Sequence, residues 1–167
     1  MRAKNLLLLG FVIGVFSLLA TDGKVRASGD TQFKWVIVSS ASALAVDGSS
    51  IQLTGTGTFA PDDPDDVTGG GTWSVSTGGS GEFQVKRLVR FELAPGSAPI
   101  PSRRAGLAFL GVAYSDGSRG ILTVSCALPV GTPSNLEDGA HASKGFVDYF
   151  NRQPPPDAVF FDQLPGD

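Results

Sequence analysis

Ile51-Gln52-Leu53-Thr54-Gly55-Thr56-Gly57-Thr58-Phe59 is the stretch on which the fold turns. Ile51, Leu53, Gly55, Gly57 and Phe59 share one parity, while Gln52 and the three threonines share the other, the period-2 pattern of a half-buried strand. Two successive glycines on the inward parity bring no side chain to the core, so the strand must bend sharply there or a large neighbour must fill the space. Trp35 and Trp73 are the residues large enough to do so. Bends inside a strand suit a curled, closing sheet better than a flat one. Fourteen residues further on, Thr68-Gly69-Gly70-Gly71-Thr72-Trp73 has the same shape as Thr54–Phe59. The two are expected to meet as arms of a hairpin, since one echo does not make a repeat protein.

Outward from this centre, Phe33–Val38 (FKWVIV) reads as a strand that ends before an Asp47-Gly48 turn. Ala60–Val67 (APDDPDDV) reads as a loop, because proline cannot serve a central strand. After a turn at residues 78–81, Phe83, Val85, Val89, Phe91 and Leu93 alternate with polar neighbours. Arg87 and Leu88 break that alternation. Either a bulge swaps the faces for two residues, or Arg87 points inward and needs an anionic partner for its buried charge. Ala94–Arg104 is a proline-rich connection. Ala105–Tyr114 is apolar on both parities, as a central strand would be, and pairs with Ile121–Leu128 across the turn at Ser115–Ser118. Residues Pro129–Gly139 read as irregular. Phe146, Val147 and Phe150 share a helical face, so a short helix is expected over Lys144–Arg152 with Ser143 as its N-cap and prolines 154–156 as its stop. Val159-Phe160-Phe161 reads as a last strand returning to the sheet edge. The expected fold is all-β: an antiparallel barrel or strongly curled sandwich of about six to seven strands with one short C-terminal helix.

Composition agrees with that class. The chain has 167 residues with 22 glycines, 11 prolines and 17% charged residues, too much glycine and proline for a helical bundle and too much apolar content (41%) for disorder. Arg2 and Lys4 precede an uncharged run from Leu6 to Ala20, too short for a comfortable membrane span, followed by a small-residue site at Val25-Arg26-Ala27. Residues 1–27 therefore read as an export signal cleaved after Ala27, with an uncleaved membrane anchor as the alternative. Residues 28–167 form one expected domain, its tail 153–167 only loosely attached, with a secreted or periplasmic location. Removing four basic residues (Arg2, Lys4, Lys24, Arg26) and one acid (Asp22) from a chain of net charge −3 leaves −6. An acidic domain repels phosphodiester backbones, which argues against nucleic acid as a partner. Arg87, Arg90, Arg103 and Arg104 are the residues that could gather into a local basic patch.

Reactive residue types are scarce. Cys126 is the one cysteine and His141 the one histidine. That excludes an intrachain disulfide and the common Cys/His zinc sites. Cys126 lies on the apolar parity of its strand, where a free thiol is usually an inert small hydrophobe. Ser143 and Lys144 are adjacent, not one helical turn apart, so they do not form a Ser–Lys pair on one face. Asp62, Asp63, Asp65 and Asp66 offer carboxylates to a hard cation, but their spacing fits no defined calcium loop and a solvated hairpin tip explains them as well. No cofactor is implied, and the glycine-rich stretches lack the strand-to-helix setting of a phosphate cradle.

The segments TGTGTF, GGGTW, RLVRFELAPG and YSDGSRGIL together resemble a group of uncharacterised exported bacterial β-rich proteins over most of residues 33–150. The threonine-glycine strands ending in an aromatic are also similar in architecture to allene-oxide-cyclase and dirigent-type barrels. That likeness implies a barrel and carries no functional residue with it.

With aromatics abundant and catalytic types few, the leading expectation is non-enzymatic binding of a small apolar ligand or a protein. Trp35, Phe59, Trp73, Phe91 and Phe109 are the residues that would line a cavity, with Arg87 as polar anchor. A cavity-type isomerase or cyclase and a structural, surface-interacting protein are the alternatives.

Overall fold

The computed structural model describes residues 31–153 and 159–165. The proposed export signal lies outside them. Eleven strands and no helix occur among the described residues: β1 (Phe33–Leu44), β2 (Ser50–Ala60), β3 (Asp63–Val67), β4 (Gly70–Val75), β5 (Ser80–Ala94), β6 (Arg103–Tyr114), β7 (Arg119–Cys126), β8 (Gly139–Lys144), β9 (Val147–Tyr149), β10 (Asn151–Gln153) and β11 (Val159–Gln163). The antiparallel path β1-β2-β4-β5-β6 is closed by β11, which pairs with β1 on one side and β6 on the other, giving a six-stranded barrel. β7, β8 and β9 extend the sheet from β6, β10 pairs with β1, and β3 pairs with β2.

The inward parity of the central stretch holds. Ile51, Leu53 and Phe59 are buried, and β2 meets β4 through the pairs Thr54↔Thr72, Gly55↔Gly71 and Thr56↔Gly70, so the two similar segments are hairpin arms. Trp35 fills the space that the inward glycines leave. It faces Gly57 in the β1–β2 register, and a Cβ built on Gly57 would meet its Nε1 at 2.8 Å. A large ring laid over strand glycines allows the wall to curl tightly without opening a void. On the outer face, threonine hydroxyls meet in rows, Thr54 with Thr72 at 2.6 Å and Thr58 with Thr68 at 2.8 Å.

Two expectations are corrected. The short helix over Lys144–Arg152 is absent: Lys144 ends β8, Gly145 turns the chain at φ +60°, and β9 returns against β8 through Ala142↔Tyr149. The period that counts there is two, since Tyr149 is buried while Phe146 and Phe150 stand exposed. Asp63–Val67 is a short strand and not a loop, yet it pairs only with β2, the edge position that Pro64 tolerates. On β5, of the two readings of the Arg87–Leu88 break, the bulge holds. Register shifts between Val85 and Arg87 and between Leu88 and Arg90 turn Leu88 inward, leave Arg87 exposed and expose Val89. Arg87 is thus placed by a bulge and does not point into the core. Within the tail, Val159–Gln163 is part of the barrel wall.

Candidate functional site

The barrel interior is filled with side chains. Trp35, Phe59, Phe161, Ile51, Leu53 and Leu110 are almost wholly buried, and Phe33, Phe59, Phe91 and Phe161 form one aromatic cluster with centroids 4.8–6.0 Å apart. Of the residues expected to line a cavity, Trp35, Phe59 and Trp73 are core and Phe91 packs against it. Phe109 sits on the other parity of β6, opposite Thr123, half-buried on the outer side. Arg87 is outside as well, so these six residues do not converge on one pocket.

Polar and aromatic groups gather around Lys144. Lys144 Nζ lies 4.1 Å from the Trp73 ring centroid and 5.3 Å from that of Tyr114, and donates to the Asp116 carboxylate. This bond and those from Ser118 hold the Asp116 carboxyl at about 2. The Tyr114 hydroxyl is pushed up by burial and donates to the Ser143 carbonyl oxygen at 2.8 Å. Ser143 Oγ accepts from the Ile121 amide, so its role is structural and Lys144 is spent on Asp116.

Cys126 and His141 cannot act together. Cys126 faces the core with Leu122 and Val124, whereas His141 is opposite Thr123 on the other face of the β7–β8 ladder. Burial pushes the Cys126 thiol up to about 11, leaving little thiolate near neutrality. His141 Nδ1 accepts a 2.9 Å bond from Arg152 Nε, and burial together with that cation pushes the imidazole down to about 4. Between pH 4 and the ordinary value of 6.5 the unfolded chain binds a proton on His141 that the folded chain does not. Stability therefore falls as pH drops from 6.5 towards 4, by about 1–2 kcal/mol, well under the full linkage value because the ring is partly exposed. Urea unfolding between pH 4 and 7 should show this slope, and His141→Gln, which keeps an acceptor for Arg152 but cannot titrate, should lack it.

The acidic segment is engaged locally. Asp66 accepts from Gln32 at 3.0 Å and Asp63 Oδ1 accepts the Asp65 amide at 3.2 Å. Among the described residues, no group of three or more His, Cys, Asp or Glu side chains is placed to hold a metal ion.

The feature with binding geometry is a seam in the wall. The neighbour of β1 changes from β11 at Phe33–Ile37 to β10 at Ser42–Leu44, and the β1–β2 register shifts between Ile37 and Ala41. Along β6 the neighbour changes from β11 at Arg103–Arg104 to β7 from Gly106 onward. Beside this split lies an open groove of about 560 Å³ whose apolar lining includes Val38, Ile100, Leu128, Pro129, Val159 and Phe160. Val38 and Ile100 are 61% and 49% exposed, a large share for aliphatic side chains that face one depression. Its charged groups already have partners: Arg103 stacks at 3.8 Å over Phe160 and pairs with Asp162 at 2.9 Å, and Asp138 accepts the Ala127 amide at 3.0 Å. The sequence shows no sign of this groove, because its residues come from five separated segments.

No family model matches the chain, and no curated protein or solved structure matches it either.

Proposed function

We propose that this chain is an exported, non-enzymatic binding domain that takes a small, uncharged apolar molecule into the seam groove. The carrying observation is the exposure of Val38 and Ile100 in a groove whose polar groups are already satisfied. Its volume falls in the usual range for small-molecule sites, about 300–1,000 Å³. Burial of apolar surface is then the driving term, at about 25 cal/mol per Å², and a charged ligand gains no free counterion there. The leader-like pattern of residues 1–27, a basic start before an uncharged apolar run, supports export, and the opposite facing of Cys126 and His141 supports binding over covalent chemistry.

The neutral dye N-phenyl-1-naphthylamine serves as a probe. Saturable enhancement of its emission is expected, with displacement by decanol, and Val38→Asp and Ile100→Asp should each weaken binding at least tenfold. Both side chains are exposed, so the unfolding midpoint should stay within a few degrees of the parent. Binding that survives both substitutions, or no saturable binding at all, removes the reading.

A further inference from the structure

The arginines that were candidates for one basic patch are separated by the fold. Arg90 pairs with Glu92 at 2.8 Å, Arg103 with Asp162, and Arg104 donates to Gln163 at 3.0 Å. Arg87 keeps no ion-pair partner among the described residues and meets two other cations instead. Lys86, Arg87 and Arg119 line a groove of about 540 Å³ on the outer face of β5, β6 and β7, together with Gly111, Val112, Ala113, Gly120 and Ile121. The registers Arg87↔Gly111, Gly111↔Ile121 and Ala113↔Arg119 set Arg87 and Arg119 on opposite sides of β6. By sheet geometry their Cα atoms are about 12 Å apart, within joint reach of two long side chains. Gly111 makes the crossing possible: the Arg87 Cγ lies 3.2 Å from where a Cβ of residue 111 would stand, so the arginine lies flat over the glycine. Two of the nearby carboxylates are committed elsewhere, Glu92 to Arg90 and Asp116 to Lys144. Among the described residues, Lys86 Nζ donates to the neutral Gln84 side chain at 2.7 Å.

We propose that this groove is a site for a phosphomonoester: a phosphate dianion held by Arg87, Arg119 and Lys86, its apolar body resting on Ala113 and Ile121. Three cations around one depression suit a group carrying about two negative charges better than a single carboxylate. Guanidinium forks bind such oxygens in pairs, and lysine adds a point charge. The site lies apart from the seam groove, shares no residue with it and does not depend on apolar binding there.

Phenyl phosphate is the probe, read on the arginine side-chain Nε signals of the ¹⁵N-labelled full chain. Saturable shifts at Arg87 and Arg119 are expected, with phenol giving none. Arg87→Met and Arg119→Met should each weaken binding at least tenfold, whereas Arg90→Met, which removes an exposed, paired arginine from the same strand, should change it less than twofold. Shifts that never saturate, equal binding of phenol, or an equal loss with Arg90→Met overturn the proposal. Vesicles of phosphatidylcholine with and without phosphatidic acid identify the source of the phosphate. Co-sedimentation only with phosphatidic acid, lost in Arg87→Met, assigns it to a lipid headgroup. Phenyl phosphate binding without co-sedimentation assigns it to a soluble ester. Binding to neither overturns the site.

Discussion

Trp35→Ala is expected to destabilise the domain by about 3–5 kcal/mol, the cost of emptying a large buried aromatic site that cannot collapse. The indole is fully buried and lies against Gly55 and Gly57, so no neighbouring side chain on β2 can move into the void. Trp35→Phe should cost less than half as much. Among the described residues the Trp35 Nε1 has no hydrogen-bond partner, so the smaller ring forfeits packing volume but no polar contact, and it removes an unpaired buried donor. Urea unfolding of the two variants checks this ordering; an alanine variant as stable as the phenylalanine one would mean that the indole is not the filler of the curled wall.

Gly57→Ala is expected to cost about 3 kcal/mol, the upper end for overpacking a tight site. A Cβ at Gly57 would stand 2.2 Å from the Thr68 carbonyl oxygen, a backbone atom that yields only if the adjoining chain shifts away. Gly55→Ala should cost less, because the nearest backbone oxygen, that of Gly70, is 2.7 Å away and the other close atoms are ring carbons of Phe83 and Trp35. Thermal unfolding of the two variants gives the comparison, and equal midpoints would show that the β2 wall tolerates side chains at both positions alike.

These two predictions rest on the part of the fold that the sequence displays most openly. Period-2 alternation with glycine on the inward parity announces both a strand and its curvature, and the break at Arg87 and Leu88 already contains the bulge. Residues 144–152 depart from the helical expectation for a definite reason. Phe146, Val147 and Phe150 have helical spacing, but hydrophobic spacing indicates a helix only if those residues are buried, and Phe146 and Phe150 are exposed. The Gly145 turn and the buried Tyr149 carried the true period. The basic groove is half legible: Arg87 stands out as an irregularity and the Ser115–Ser118 turn joins β7 to β6, but the register of β5 on β6 that sets Arg87 beside this hairpin crosses the long Ala94–Arg104 connection. Registers between strands that are not joined by a short turn are long-range facts that no local pattern encodes, and the seam groove is hidden for the same reason.

The closing position of β11 bears on how the chain reaches this state. Phe33 pairs with Gln163 and Ile37 with Val159, partners well over a hundred residues apart. Ring closure across such a span has a large entropic cost before its contacts form, and topologies of this kind fold slowly. During synthesis the hairpins β2–β4 and β6–β7 can pair as soon as they emerge, yet the ring stays open until β11 has been made. Until then the rows of β1 and β6 that β11 will cover are bare strand edges, open to pairing with other chains. Late closure makes β11 the latch that ends that interval.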